Sequence, residues 1–256
     1  MTMMKLTFLG TGTSTGVPQI GCNCATCRSA DMRDKRLRAS ALLQVGNTAS
    51  FLIDSGPDLR EQLLRAGAPD ITALLVTHSH YDHVGGIDDL RPYCAKHPLP
   101  VYCLADVERD LRARIPYCFA KHLYPGVPTF DVHSIRPDEP FIVQGVKVTP
   151  LPVMHYKLPI IGFKIGQLAC ITDCKTMPDT TLALLRGVDT LVINALRHKE
   201  HISHMSLSQA LEVIAAVKPR RAYLTHLSHD MGTHAATEAQ LPDNVRIAYD
   251  TLQLTL

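Results

Sequence analysis

The segment 77–83, with the sequence Thr-His-Ser-His-Tyr-Asp-His, constrains this chain more than any other, and it follows a short apolar run that predicts a β-strand. Near the end of a strand, residues two apart point to the same side, so His78 and His80 can bind one cation together. Asp82 and His83 come after a turn and can reach a second cation. Neutral imidazole and carboxylate are the usual ligands of zinc and related metals, so the segment predicts a metal centre. The alternative is a histidine-rich surface loop.

Four further polar residues each follow another apolar run: Asp54, His155, Asp173 and His226. Taken singly each is a weak signal, because a lone polar residue after a strand is more often a turn or surface residue. All four lie where a predicted strand ends, however, so they can converge on one edge of a sheet, which is where sites on open α/β sheets are found.

The 256 residues are 46% hydrophobic and 20% charged, a composition typical of a folded globular chain. No linker, repeat or charge block marks a boundary, so we expect one domain spanning 1–256. Apolar runs predict strands at 6–9, 41–45, 51–53, 73–76, 101–104, 141–150, 160–165, 168–171, 191–193 and 222–224. Helical spacing predicts helices at 57–66, 106–115, 178–186 and 206–217. We therefore expect a mixed α/β fold with sheets inside and helices outside.

Two local features refine this expectation. Ser206 and Gln209 have the spacing of a capping box, which places the start of the last predicted helix. The segment 116–128, which is rich in proline, predicts an irregular stretch that is either a lid or a solvated connection.

No apolar run reaches the ~18–20 residues that a membrane helix needs. The first ten residues lack the long apolar stretch and cleavage site of a secretory signal. We therefore expect a cytoplasmic protein without membrane contact, in a compartment where structural disulfides are rare. The sequence does not fix the oligomeric state, and a homodimer is one option.

The chain resembles the metallo-β-lactamase superfamily of binuclear metallohydrolases through the pattern His78-x-His80-x-Asp82-His83 and the later His155, Asp173 and His226. The resemblance spans nearly the whole chain and implies an αββα sandwich, in which two mixed sheets are flanked by helices and two metals lie between the sheet ends. It also implies two sets of ligands that share Asp173 as a bridge: His78, His80 and His155 for the first metal, and Asp82, His83 and His226 for the second.

Within that superfamily the chain resembles the phosphodiesterase branch, which includes ribonuclease Z and small cyclic-phosphate hydrolases. Its second ligand set ends in a histidine and contains no thiolate, and the segment 9–18, LGTGTSTGVP, is similar to that branch. The resemblance implies catalytic roles for Asp82 and for Asp54. Asp54 would orient a ligand rather than bind a metal.

His204 lies just before the capping box at Ser206. A helix N-terminus favours anions, so a histidine there could contact a phosphate and give a proton to the leaving oxygen. In the phosphodiesterase branch a histidine before this helix has that role. The His-Met-Ser-Leu-Ser pattern identifies His204 as its equivalent, although His198 and His201 are close by.

Cys22, Cys24 and Cys27 offer three thiolates in six positions, and structural zinc requires four ligands. A disulfide pair or unligated thiols are the alternatives. The cysteine pattern is similar to that of the phosphoribosyl 1,2-cyclic phosphate phosphodiesterases, and this similarity implies His229 as the fourth ligand of a structural zinc. The other five cysteines are scattered and are expected to be small apolar residues.

These features predict a hydrolase of small, cyclic phosphodiesters in which a hydroxide bridging two divalent ions, zinc or manganese, attacks phosphorus. With 26 basic and 24 acidic residues the net charge is +2, which gives no electrostatic case for a nucleic-acid partner. The alternatives are a ribonuclease Z-like tRNA 3′-endonuclease, a thioesterase on the same metals, or a binding protein that keeps the fold without catalysis.

Overall fold

The computed structural model describes residues 3–256, so Met1 and Thr2 of the opening segment lie outside it. Within the described residues, two seven-stranded mixed sheets pack face to face and carry helices on their outer surfaces. The predicted αββα architecture is confirmed.

The first sheet has the strand order β14-β1-β2-β3-β4-β5-β6. The pairs from β14 to β3 are antiparallel, and those from β3 to β6 are parallel. Its strands are β1 (Met4–Gly10), β2 (Ser40–Val45), β3 (Ala49–Ile53), β4 (Ala73–Leu75), β5 (Leu99–Cys103), β6 (Phe130–Ser134) and β14 (Gln253–Thr255).

The second sheet repeats this arrangement, with the order β13-β12-β11-β10-β9-β8-β7. Its pairs from β7 to β10 are antiparallel, and those from β10 to β13 are parallel. Its strands are β7 (Phe141–Val143), β8 (Val146–His155), β9 (Leu158–Ile165), β10 (Leu168–Ile171), β11 (Thr190–Asn194), β12 (Arg221–Thr225) and β13 (Val245–Ile247).

Seven α-helices occur in the described residues: α1 (Ala25–Arg28), α2 (Leu59–Arg65), α3 (Tyr81–Val84), α4 (Ala105–Arg114), α5 (Asp179–Leu185), α6 (Leu207–Val217) and α7 (His234–Glu238). The capping box at the start of α6 is present as predicted, with Ser206 and Gln209 each bonding the other's backbone. No helix within residues 3–256 is both long and apolar enough to cross a bilayer.

Three apolar layers hold the sandwich together. The middle layer joins the facing sheets and includes the fully buried rings of Phe51 on β3 and Phe163 on β9. An outer layer packs α2 and α4 on the first sheet, and the other packs α5 and α6 on the second. Burial of these side chains is the main force that holds the two sheets, and therefore their strand ends, against each other.

The structure corrects the strand prediction at four places. The run 141–150 is divided between β7 and β8, because Gln144 and Gly145 turn with positive φ values of 49° and 76°. Three strands were not predicted, namely β6, β13 and β14. All three lie at the edges of their sheets, where half-exposed residues do not form a continuous apolar run.

The irregular segment 116–128 begins with a short 3₁₀ turn over Pro116–Phe119. It is attached to the 3₁₀ segment Ile87–Cys94, since the Tyr117 hydroxyl donates to Asp88 at 2.7 Å and Arg91 donates to the Gly126 carbonyl at 2.8 Å. These bonds join both ends of the segment 116–128 to the 3₁₀ segment Ile87–Cys94.

Candidate metal centre

The polar residues predicted at strand ends meet at one edge of the sandwich. Asp54 follows β3, the segment 77–83 follows β4, His155 ends β8, and Asp173 and His226 follow β10 and β12. Asp54 and the segment 77–83 follow strands of the first sheet, whereas His155, Asp173 and His226 lie at strand ends of the second. Packing of the sheets therefore brings together side chains that are far apart in sequence.

The first group consists of three imidazoles whose ligating nitrogens lie within 4.8 Å of one another: His78, His80 and His155. The His78 Nε2 and His80 Nδ1 atoms are 3.0 Å apart. His78 and His155 are buried, whereas His80 faces solvent. This group can take a cation that remains accessible from outside.

The second group surrounds the carboxylates of Asp82 and Asp173. The His83 Nε2 atom lies 3.3 Å from the nearer Asp82 oxygen and 3.2 Å from Asp173 Oδ1. The His226 Nε2 atom lies 3.5 Å and 3.3 Å from the same two oxygens. Asp173 also lies with His78 and His83 in a further ligand group, so its carboxylate lies between the two sets.

A cation fits this arrangement. In the described part of the chain, His83 Nε2, His226 Nε2 and Asp173 Oδ1 are buried without a hydrogen-bond partner. Unpaired buried polar atoms are costly, and these three converge on one point. Ligands bound at about 2.1 Å in tetrahedral geometry stand roughly 3.4 Å apart, which agrees with the separations found here.

The ionisation of the centre also suits a cation. Although burial raises the pKa of Asp173, the neighbouring His226 and His83 outweigh it and hold that pKa well below the usual range of a carboxyl. Burial, followed by the charge of His83, lowers the pKa of His78 well below that of a free imidazole. Although burial lowers the pKa of His83, the neighbouring Asp173 and Asp54 raise it well above that of a free imidazole. A bound cation would take the place of the proton that these carboxylates favour on the His83 ring.

Asp54 orients two of the imidazoles. Its carboxylate accepts from His83 Nδ1 at 2.7 Å and from the Thr77 hydroxyl at 2.9 Å. That hydroxyl in turn lies 3.0 Å from His78 Nδ1, from which it accepts. With their Nδ1 atoms engaged, His83 and His78 both present Nε2 to the centre.

The sequence did not reveal two of the orienting groups. Thr77 belongs to the motif segment, but nothing in the sequence marks its hydroxyl as the link from Asp54 to His78. His155 Nδ1 donates to the Ser203 carbonyl at 3.0 Å, and a backbone acceptor leaves no signal in the residue type. Ser203 immediately precedes His204, so one segment orients a ligand and carries the predicted acid.

His204 lies beside three residues of the centre. Its Nδ1 atom is 3.6 Å from Asp173 Oδ2, and its ring is 4.6 Å from that of His155 and 4.8 Å from that of His226. Burial, followed by the charge of His226, lowers the pKa of His204 to about 3. Of the other two histidines in the segment, His198 donates to the Met231 carbonyl, and His201 bonds Ser203.

A separate cluster is formed by the three cysteines of the loop 22–27. The Cys22 and Cys24 sulfurs lie 3.3 Å and 3.4 Å from His229 Nδ1, and all four ligand atoms, Cys27 included, lie within 4.8 Å of one another. Bonds from the Cys27 backbone and His229 lower the pKa of Cys24 to about 6. Three sulfurs and one nitrogen at this spacing fit a closed tetrahedral zinc site.

Comparison with known proteins places these features in a family. The model described as "Beta-lactamase superfamily domain" matches residues 50–227. A crystal structure described as a new diphosphatase from the PhnP family is 39% identical, with a TM-score of 0.91 over 98% of this chain and 97% of that one. This chain is a PhnP-like member of the metallo-β-lactamase superfamily.

Two further relatives differ from this chain in length or in sequence. An octanoyltransferase of Porphyromonas gingivalis is 43% identical over 98% of this chain, but the chain spans only 51% of that protein. The zinc-bound PqqB of Methylobacterium extorquens is 20% identical with a TM-score of 0.78, over 98% of this chain and 100% of that one, which is a likeness of fold. Membership of the superfamily places this chain among the metal-binding hydrolases without identifying the bond that it cleaves.

Replacing Thr77 by valine tests how the ligands are oriented. Thr77→Val keeps the side-chain shape but removes the acceptor for His78 Nδ1, and we expect zinc affinity to fall about 10- to 100-fold. Competition with a chromophoric chelator measures the change. Thr48→Val is the control, because its hydroxyl bonds only the Val45 carbonyl in the β2–β3 turn. Equal affinities in both variants would contradict the orienting role.

Replacing Cys22 by serine tests the cysteine cluster. We expect about three metal ions per native chain and about two in Cys22→Ser, with a lower free energy of unfolding, because one closed site would be lost. Elemental analysis and denaturant titration measure the two effects. Cys94→Ser, at a half-buried thiol outside the cluster, should keep the native count. A native count in Cys22→Ser would refute the structural site.

Proposed function

We propose that this chain is a cytoplasmic, binuclear metal-dependent hydrolase of small phosphodiesters, cyclic phosphates among them. The observation that carries the proposal is the position of His204, which lies within 3.6 Å of the carboxylate common to both ligand groups. A proton donor beside two adjacent cation sites suits an ester whose charged phosphoryl group and leaving oxygen need stabilisation together.

The proposed metal ligands form two sets that share Asp173. His78, His80 and His155 would hold one ion, Asp82, His83 and His226 the other, and Asp173 would touch both. Two divalent cations, when bound, would supply Lewis acidity and a water of lowered pKa.

His204 would act on the leaving oxygen. With its pKa lowered to about 3 by burial and then by His226, the imidazole is neutral at pH 7 and keeps one N–H. That N–H can donate to a phosphoryl or leaving oxygen, and the negative charge of a bound phosphodiester raises the proton affinity of the ring. With substrate bound, His204 would take up a second proton from solvent, and this proton would pass to the leaving oxygen as the bond from phosphorus to that oxygen breaks.

A small substrate suits the charge of the molecule. The net charge of +2 provides no basic surface excess for a polynucleotide. The PhnP-family structure that is 39% identical is described as a diphosphatase, which supports a linear phosphoanhydride diester as a second candidate substrate. The same two ions and His204 could serve either a P–O–C or a P–O–P bond.

A substrate panel tests the proposal. The metal-loaded protein is assayed with a ribose 1,2-cyclic phosphate, bis(4-nitrophenyl) phosphate, a dinucleotide diphosphate, a 3′-extended tRNA and an acyl thioester. We expect turnover of small diesters that is lost on chelation and restored by zinc or manganese. Asp173→Asn should be inactive throughout, which excludes a contaminating hydrolase. Cleavage of tRNA or thioester without small-diester turnover would overturn the proposal.

Removing His204 should affect substrates according to their leaving group. For His204→Ala we expect kcat to fall about 100- to 1000-fold with an alkoxide leaving group, but less than about tenfold with 4-nitrophenolate, which departs without a proton. His198→Ala is the control, since its ring bonds the Met231 carbonyl. A uniform loss with both leaving groups would rule out proton donation by His204.

A further inference from the structure

A groove of about 700 Å³ opens at the same edge of the sandwich as the metal centre. Its walls are formed where β5 and β6 end, along the β8–β9 hairpin, and by the segment after Asp173. Leu104, Ile135, Met154, Ile160 and Met177 are among the residues that line it.

Backbone neighbours and backbone hydrogen bonds connect residues of the groove to residues of the metal centre. Met154 immediately precedes the ligand His155, and its N–H donates to the carbonyl of Thr176, also a groove residue, at 2.8 Å. On the same hairpin, Ile160 is followed by Ile161, whose N–H donates to the carbonyl of Thr77 at 3.4 Å. Groove and centre are therefore held in a fixed relation by the same strands.

The lining of the groove is mostly carbon. Four of its residues are prolines: Pro137, Pro152, Pro159 and Pro178. Proline loses no side-chain rotamers on binding, so such a wall is preformed. The charged residues in the lining are Asp106 and Arg136, and Arg136 faces the carboxylates of Asp138 and Glu139. The surface suits an apolar ring better than a second phosphate.

Position distinguishes this groove from a larger apolar cleft of about 900 Å³. That cleft is lined by Met4, where β1 begins, and by Ile165 and Val146, where β9 ends and β8 begins. It therefore lies at the edge of the sandwich opposite the metal centre and cannot receive part of a substrate held there.

We propose that the groove binds an apolar, ring-bearing ester substituent of the phosphodiester. The leaving group has to face His204, which is not among the groove residues, so the groove takes the substituent that remains on the product. This inference rests on the proposed function and adds to it a substrate class, in which one ester group is aromatic or heterocyclic.

Two substrates with a common leaving group test the inference. Phenyl 4-nitrophenyl phosphate and methyl 4-nitrophenyl phosphate both release 4-nitrophenolate and differ only in the retained group. We expect kcat/KM of the metal-loaded native protein to favour the phenyl ester by about tenfold or more, as burial of a ring requires. In Ala105→Phe the groove is partly filled, and the phenyl-to-methyl ratio should fall about tenfold.

The control is Ala113→Phe, because Ala105 and Ala113 are both exposed alanines of α4 and only Ala105 lines the groove. Its phenyl-to-methyl ratio should equal that of the native protein. Calorimetry gives a second readout: phenyl phosphate should bind more tightly than methyl phosphate to the native protein and to Ala113→Phe, but not to Ala105→Phe. A ratio unchanged by Ala105→Phe would overturn the inference. Failure to hydrolyse either ester would instead count against the proposed function.

Discussion

The structure depends on one electrostatic constraint, which is the burial of Asp173 among imidazoles at the edge of two packed sheets. Its carboxylate is 2% exposed and lies within 3.3 Å of both His83 Nε2 and His226 Nε2 without hydrogen bonds to either. A buried charge of this kind persists only where opposite charge compensates it. The strands and loops around Asp173 are arranged to supply that compensation.

The backbone next to the centre adopts unusual conformations at two of its residues. Asp54 and His226 adopt left-handed conformations, with φ values of 60° and 56°, although neither is glycine. Such conformations cost on the order of 1–3 kcal/mol and persist where the surroundings determine them. Gly86 contributes by close approach, since a Cβ there would overlap the carbonyl oxygen of Gly56. The turns after β3 and β12 thus lose local stability where they place Asp54 and His226, and the turn after α3 packs closely against the turn after β3.

Much of this could be predicted because strand ends are visible in a sequence. The alternation of apolar runs and helical segments predicted a mixed α/β fold with sheets inside and helices outside, and the resemblance to the metallo-β-lactamase superfamily implied the αββα sandwich. The polar residues after the apolar runs indicated the members of the centre. The hydroxyl of Thr77, the carbonyl of Ser203 and the groove beside Met154 could not be found in this way. Each depends on tertiary packing or on a backbone atom, which residue type does not encode. The edge strands β6, β13 and β14 escaped prediction for a related reason, because exposure dilutes their apolar pattern.

The origin of the ligands has a consequence for how the molecule is held together. The segment 77–83 belongs to the first sheet, whereas His155, Asp173 and His226 belong to the second. A cation bound between them would connect the two sheets at this edge of the sandwich. Assembly of the two halves and competence for chemistry would then be a single event, and neither half of the chain could form a working centre alone.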